Sequence, residues 1–244
     1  MLIRQGAHRS FVHDRRLACT LALVAGALNS AGFYAVGVFS ANMTGNVSIM
    51  ADRFALGDLL PGLFYLAILA TFVLGATVSA LITNAGERHH IHAIYALAVL
   101  AEAALLAILG FADLWLATGL REPTLIFGLS FSMGLQNAIV TRISEARVRT
   151  THISGMATDL GIEIGCLLDI ALHGGGREDA RPLRERLLLH GATILSFCLG
   201  GIAGVVTYRA CGAWLLFGAA ALLLMLSVPS LLRWRMMTPR TARG

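Results

Sequence analysis

Six long apolar stretches dominate the chain, at roughly 17–38, 63–82, 91–111, 124–141, 187–208 and 213–232, and nothing else in the sequence constrains the fold as tightly. Each is close to the ~20 residues that carry a helix across ~30 Å of hydrocarbon. Hydrocarbon offers no water to the backbone, so only helices or a closed barrel can cross it, and runs this long and continuous read as helices. The composition agrees: 57% of residues are hydrophobic and 14% charged, against about a quarter charged in a soluble domain. The mean hydropathy is +0.73. Six such helices leave only short connections, so the expectation is an all-α membrane protein, with residues 1–244 forming one membrane domain and no separate soluble domain.

The charges fix an expected orientation. All 19 basic residues are Arg, and the net charge is +5. Such a balance suits nucleic acid in principle, but Arg beside apolar spans is explained by topology and anionic headgroups, so no nucleic-acid partner is expected. With the N-terminus inside, six spans leave only Arg53, Arg121 and Arg209 on the outer side, while the tails, Arg88 and the Arg residues from 142 to 186 lie inside. That is the positive-inside pattern, and the expected location is the inner membrane of a bacterium, with both termini cytoplasmic. Pro61 and Pro123 read as helix starts, because the first helical turn has no acceptor for an N–H anyway. Trp115, Trp214 and Trp234 fall at span ends, as interfacial aromatic residues do. The Arg-containing tail before the first span resembles a secretory signal, but the apolar run is too long, and an uncleaved first span is expected. Two further apolar segments, 45–55 and 155–172, give an alternative of eight spans with a poorer charge asymmetry.

Two parts of the chain repeat a pattern. Ala27-Leu28-Asn29-Ser30-Ala31 is followed by Ser40-Ala41-Asn42-Met43-Thr44-Gly45-Asn46, and Gly134-Leu135-Gln136-Asn137-Ala138 by Thr150-Thr151-His152-Ile153-Ser154-Gly155-Met156. Aligned, Asn29 falls opposite Gln136, and Thr44-Gly45 opposite Ser154-Gly155. Each copy leads into two more spans, giving repeats of about 17–111 and 124–232 with a cytoplasmic loop at about 173–186. A unit with an odd number of crossings meets its copy upside down, the build of many secondary transporters. The expected architecture is therefore about six transmembrane helices in two inverted three-helix repeats, each with a broken or re-entrant motif segment containing glycine.

The motif Ala41-Asn42-Met43-Thr44-Gly45-Asn46, with Thr150-Thr151-His152-Ile153-Ser154-Gly155 and the following Asp159-Leu160-Gly161, resembles the paired motifs of the YoaK-like family of small multi-pass bacterial membrane proteins. Ser154 and Met156 stand where that pattern leads one to expect Thr and a polar residue. The resemblance implies the topology and names no substrate.

Glycine after a hydroxyl residue, flanked by Asn or His, is a place where a helix can break and be capped anew. In a bilayer an unwound backbone persists only inside protein or beside water, so the two motifs are expected to face a shared central site, with helix N-termini turned towards it. A simple kink or close helix packing at glycine is the alternative. The solute-binding candidates are Asn29, Asn42, Thr44, Gly45, Asn46, Gln136, Asn137, His152, Ser154 and Gly155. The amides among them equally suit interhelical hydrogen bonding. Glu102 stands alone in the middle of the third stretch, where a charge costs about 2.5–3.5 kcal/mol, so it should be neutral, paired or beside water. Asp159 and Glu163 share one face of a helix from Gly155, where their repulsion calls for solvent, a bound cation, a proton or a nearby Arg such as Arg147 or Arg149; the alternative is a solvated amphipathic helix. These three acids are the proton-coupling candidates.

Other features carry less. Cys19, Cys166, Cys198 and Cys211 have no metal-ligand spacing and read as free thiols. His89, His90 and His92 read as an interfacial cluster, and Gly174-Gly175-Gly176 as a hinge rather than a phosphate loop. No metal site, cofactor or catalytic residue is expected. The functional expectation is a secondary transporter or permease for a small polar solute, with proton coupling through one of the acids. A non-transporting assembly or regulatory protein is the first alternative, and an intramembrane enzyme the second. Gly200-x-x-x-Gly204 suggests either a homo-oligomer contact or packing within the chain.

Overall fold

The computed structural model describes residues 11–91, 93–174 and 176–237. Among them run eight helices and no strand: α1 (Phe11–Val36), α2 (Met43–Ala55), α3 (Leu59–Arg88), α4 (Ile94–Trp115), α5 (Thr118–Ile143), α6 (Ile153–His173), α7 (Arg177–Cys211) and α8 (Trp214–Met237). Six of these, α1, α3, α4, α5, α7 and α8, are long and apolar enough to cross a membrane. The 45–55 and 155–172 segments are the helices α2 and α6, outside that set.

Connections are tight wherever neighbours run antiparallel. Leu116 and Ala117 alone join α4 to α5, and Gly212 and Ala213 join α7 to α8. Gly212 has φ +59°, which a side chain would resist. The core is an apolar cluster centred on α1, α4, α5 and α8, including Leu21, Leu28, Leu106, Met133, Ile139 and Leu223. By contrast α3 and α7 leave leucine and β-branched residues bare along their length, such as Leu66, Leu74 and Leu81, and Leu195, Ile202 and Val206. An apolar surface of that extent suits lipid rather than water.

Helix pairs are selected by glycine. α1 packs chiefly on α7, α3 on α5 and α4 on α8, while α2 lies on α3 and α6 on α7. At the α1–α7 crossing a Cβ on Gly26 would run into the Phe197 carbonyl, and one on Gly200 into the Leu23 carbonyl. At the α3–α5 crossing a Cβ on Gly134 would strike the Phe72 carbonyl, and one on Gly75 the Phe131 carbonyl. Backbone meets backbone at both crossings, the contact that small residues permit when lipid supplies no hydrophobic drive between helices. Gly200 and Gly204 are thus used within the chain, against Leu23 and Ala27 of α1.

Several expected boundaries shift. Pro61 sits in the first turn of α3, but Pro123 lies inside α5, which begins five residues earlier at Thr118. The loop expected at 173–186 shrinks to the glycines after His173, because α7 starts at Arg177 and takes Pro182 within its length. A proline near a helix start forfeits few hydrogen bonds, so helical charge-rich sequence can precede it. Gly175 and His92, and with them part of the glycine hinge and of the His tract, lie outside the described residues, as do Arg4, Arg9, Arg240 and Arg243 in the tails.

The crossings yield a test with an internal control. Gly26→Leu or Gly134→Leu should destabilise the protein by about 1–3 kcal/mol or more, because the obstacle is main chain that cannot swing aside. Gly161→Ala and Gly218→Ala, where a Cβ meets nothing, should leave the thermal midpoint in detergent close to wild type.

Candidate functional site

Asparagine organises the chain reversal after α1. Gly37 ends the helix with φ +73°, and its N–H donates to the Phe33 carbonyl at 2.8 Å. The chain then doubles back: the Ala41 N–H donates to Asn29 Oδ1 at 2.8 Å, seven residues and so about 10 Å below the end of α1. Phe39 stacks on Phe33 with ring centres 4.1 Å apart, and Asn46 Nδ2 donates to the Phe39 carbonyl at 3.1 Å. Asn42 caps α2, its Oδ1 accepting the Gly45 N–H at 3.1 Å.

The reversal after α5 follows the same plan with different parts. Ser144 Oγ donates to the Val140 carbonyl at 2.7 Å and accepts the Val148 N–H at 3.0 Å, while Glu145 and Ala146 take positive φ. Asn137 Oδ1 accepts from Thr151 Oγ1 at 2.8 Å, and α6 begins two residues later behind His152. Each motif is thus hung from a buried Asn in the preceding long helix: 41 from 29, and 151 from 137. Asn29 and Asn137 thus have like roles, each three residues after a glycine at a helix crossing, Gly26 and Gly134, whereas the sequence alignment set Asn29 opposite Gln136.

Gly45 and Gly155 also have a different purpose from the one expected. Neither takes positive φ; both sit in the first turn of their helices, and the breaks lie before them. What they supply is room. A Cβ on Gly45 would press on the Asn42 cap, and one on Gly155 would lie 3.2 Å from an Arg149 guanidinium nitrogen.

The two motifs meet in one cavity of about 690 Å³, within the range of small-molecule sites. Asn29, Asn42, Thr44 and Gly45 line one side, and His152, Ser154 and Gly155 the other. Phe72 and Phe197, from mid-length of α3 and α7, complete the wall. Three expected residues stand outside the lining: Asn46 and Asn137 hold the reversals, and Gln136 is turned into the bundle. The lining also contains Phe39, Ser48, Phe72 and Phe197, which the sequence reading did not single out, together with Thr151 of the second motif and Arg149, expected only as a partner of the acids. A signal for two of them was present. Thr71-Phe72-Val73-Leu74-Gly75 and Ser196-Phe197-Cys198-Leu199-Gly200 share the order hydroxyl, Phe, any, Leu, Gly.

The acids lie elsewhere. Glu102 is 0% exposed between α4 and α5, where its Oε1 accepts from Gln136 Nε2 at 2.9 Å. Glu102 Oε2 and Gln136 Oε1 are left without a hydrogen-bond partner, as is the hydroxyl of the buried Ser132, one turn before Gln136 on α5. Asp159 and Glu163 line a second cavity of about 600 Å³ at the end where α1 begins. Glu163 pairs there with His190 of α7 at 3.0 Å and Arg147 with Asp14 at 3.4 Å, so the partner of Glu163 is a histidine rather than the expected arginine. Arg149 lines both cavities. Among the described residues no group of His, Cys, Asp and Glu has the arrangement of a metal site, and the four cysteines are free.

The opposite end is tied shut. Arg121 Nε donates to Asp113 Oδ1 at 2.6 Å, a terminal Arg121 nitrogen donates to the Tyr208 hydroxyl at 2.8 Å, and that hydroxyl donates to Asp113 Oδ2 at 2.8 Å. This joins α4, α5 and α7, with Tyr34 of α1 edge-on to Tyr208.

Six apolar helices around a polar-lined cavity, with bare leucines facing outwards, make this a multi-pass α-helical membrane protein. Residues 17–228 match the family described as Protein of unknown function (DUF1275), and the chain belongs to it. The YoaK-like resemblance of the motifs is consistent with that membership. No curated protein and no solved structure matches the chain.

The buried pair makes a forecast about stability. Glu102→Gln keeps a donor and an acceptor facing Gln136 and should leave the thermal midpoint within a few degrees of wild type. Glu102→Leu strips Gln136 of its partner and should cost about 1–3 kcal/mol, read as a lower midpoint in the same detergent.

Proposed function

We propose that the protein is a secondary transporter or permease of a small polar solute, which binds in the central cavity between the two motifs. The observation that carries this reading is the convergence itself: two motifs more than a hundred residues apart each double back along a long helix and end at one cavity between α3 and α7. Polar backbone at that depth is tolerated where it lines a water-filled site, which is what a carrier needs and a purely structural bundle does not.

The proposed build is two inverted repeats, α1–α4 and α5–α8, with α2 and α6 as the re-entrant segments. Packing supports it. Exchanging α1 with α5, α2 with α6, α3 with α7 and α4 with α8 turns the α1–α7 contact into α5–α3, turns α2–α3 into α6–α7, and returns α4–α8 to itself. Three crossings per unit then place the copies in opposite senses. The positive-inside distribution of Arg supports a bacterial inner-membrane orientation with both termini cytoplasmic, in which the second cavity lies at the cytoplasmic end.

Orientation is tested with single cysteines replacing Arg88 and Arg147 in a background free of other cysteines. Both should resist an impermeant thiol reagent in intact cells and react after permeabilisation; labelling of both from outside favours eight spans instead. Function is tested by solute uptake into proteoliposomes with and without a pH gradient. Uptake abolished by Gly45→Leu and Gly155→Leu in folded protein supports the carrier. Catalytic turnover without uptake points to an enzyme, and a co-purifying partner without either points to an assembly protein. Proton coupling through Glu102 predicts that Glu102→Gln flattens the pH dependence of uptake, whereas coupling through Asp159 and Glu163 leaves it intact.

A further inference from the structure

The central cavity contains a charge imbalance. Arg149 is the only formally charged residue in its lining, and no Asp or Glu among the described residues joins it there. Arg149 makes no ion pair or hydrogen bond with any described residue. Its guanidinium stands over Gly155, in the first turn of α6. That is the positive end of a 21-residue helix, so a cation has been set against like charge. The helix end is also bare. His152 occupies the N-cap but makes no side-chain cap, and the Ser154 and Gly155 N–H groups find no acceptor among the described residues. Burial, and then the charge of Arg149, hold the His152 imidazole below the ordinary histidine value, so it adds no compensating or competing charge at neutral pH.

A second feature is independent of the helix end. Asn29 lines the same cavity while only 6% exposed. Its Oδ1 is committed to the Ala41 N–H, and its Nδ2 has no partner among the described residues. The amide therefore presents donors, not an acceptor, to whatever occupies the cavity. Donors on one wall, an unpaired guanidinium and open N–H groups on the other, and no carboxylate between them all favour negative charge and reject positive charge.

Building on the carrier reading above, we propose that the occupant of the central cavity is a small oxyanion, a carboxylate or an inorganic anion such as phosphate or sulfate, held between the Arg149 guanidinium, the open N-terminus of α6 and the Asn29 amide. Arg149 also lines the second cavity, whose lining holds Asp14, Asp159, Glu163 and Glu185, so its guanidinium stands between a carboxylate-rich space and one without a carboxylate among the described residues. A planar guanidinium with parallel donors suits two oxygens of one carboxylate or phosphate.

The test uses the full-length protein in detergent, with thermal unfolding followed against acetate, phosphate and sulfate as sodium salts at constant ionic strength, and against choline and glucose as cationic and neutral probes. At least one oxyanion should give a saturable rise in midpoint on wild type. Arg149→Gln should weaken the apparent affinity about tenfold to a hundredfold, the effect of removing a charged hydrogen-bonding partner, and Arg149→Lys should fall between the two. If Arg149→Gln does not fold, unweakened binding in Arg149→Lys together with Asn29→Asp overturns the proposal, since a new carboxylate in the lining should repel the anion. No saturable response to any of the three anions overturns it, as does a response that Arg149→Gln leaves unchanged, which marks binding outside this cavity. Uptake measured in parallel separates this from the carrier reading. Anion binding without uptake keeps the anion site and removes the carrier, while uptake of choline or glucose without an anion response keeps the carrier and removes the anion site.

Discussion

Everything in this bundle depends on two places where helix backbones touch. Lipid is as apolar as leucine, so helices in a membrane gain little from hiding leucine against each other. Close approach brings dispersion and weak Cα–H contacts instead, and it requires glycine. Gly26 with Gly200, and Gly134 with Gly75, meet that requirement at the α1–α7 and α3–α5 crossings. Both crossings lie near the middle of the long helices, and two of the four carbonyls involved belong to Phe72 and Phe197, whose side chains wall the cavity. Packing and site are therefore built from the same residues. A wider crossing would move both phenyl rings and open the cavity's wall.

Polar groups are handled by separation. Asn29, Asn42, Asn46 and Asn137 each bond to a backbone or threonine partner at the two reversals, so part of the main chain that leaves its helix inside the bundle is satisfied, while the Ser154 and Gly155 N–H groups stay open. Glu102 and Gln136 face each other in a buried layer between α4 and α5. Formal charges gather at the two ends, in the Asp14, Arg147, Glu163 and His190 pairs at one and the Asp113–Arg121 pair at the other. Arg149 is the exception, the one formal charge set against the central cavity.

The spans were legible because a helix in lipid has to be long and apolar, and both properties survive in sequence. The motifs were legible because small hydroxyl residues, Asn and Gly are conspicuous between leucines. Register was harder. A matching Leu sets Asn29 opposite Gln136 in sequence, but leucine recurs everywhere in such a chain, whereas the glycines at the crossings have a backbone to face, and Asn29 and Asn137 each follow one of them by three residues. Arg149 was seen only as a partner for Asp159 and Glu163, since charge pairing along one helix is readable and a loop's path back into the bundle is not. Pro123 bounds its helix only loosely for a related reason, since proline forbids little in the opening turns of a helix.

The tie between Asp113, Arg121 and Tyr208 has a consequence of its own. Its three hydrogen bonds form a closed ring in which every member serves two others. Withdrawing Tyr208 takes two of the bonds at once, and withdrawing Arg121 leaves a carboxylate that is 8% exposed with a single donor. In such a ring each bond polarises the next, so the loss of one member weakens the tie between the other two. The ends of α4, α5 and α7 are for that reason held as a unit, and a change on any one of the three helices is felt by both others.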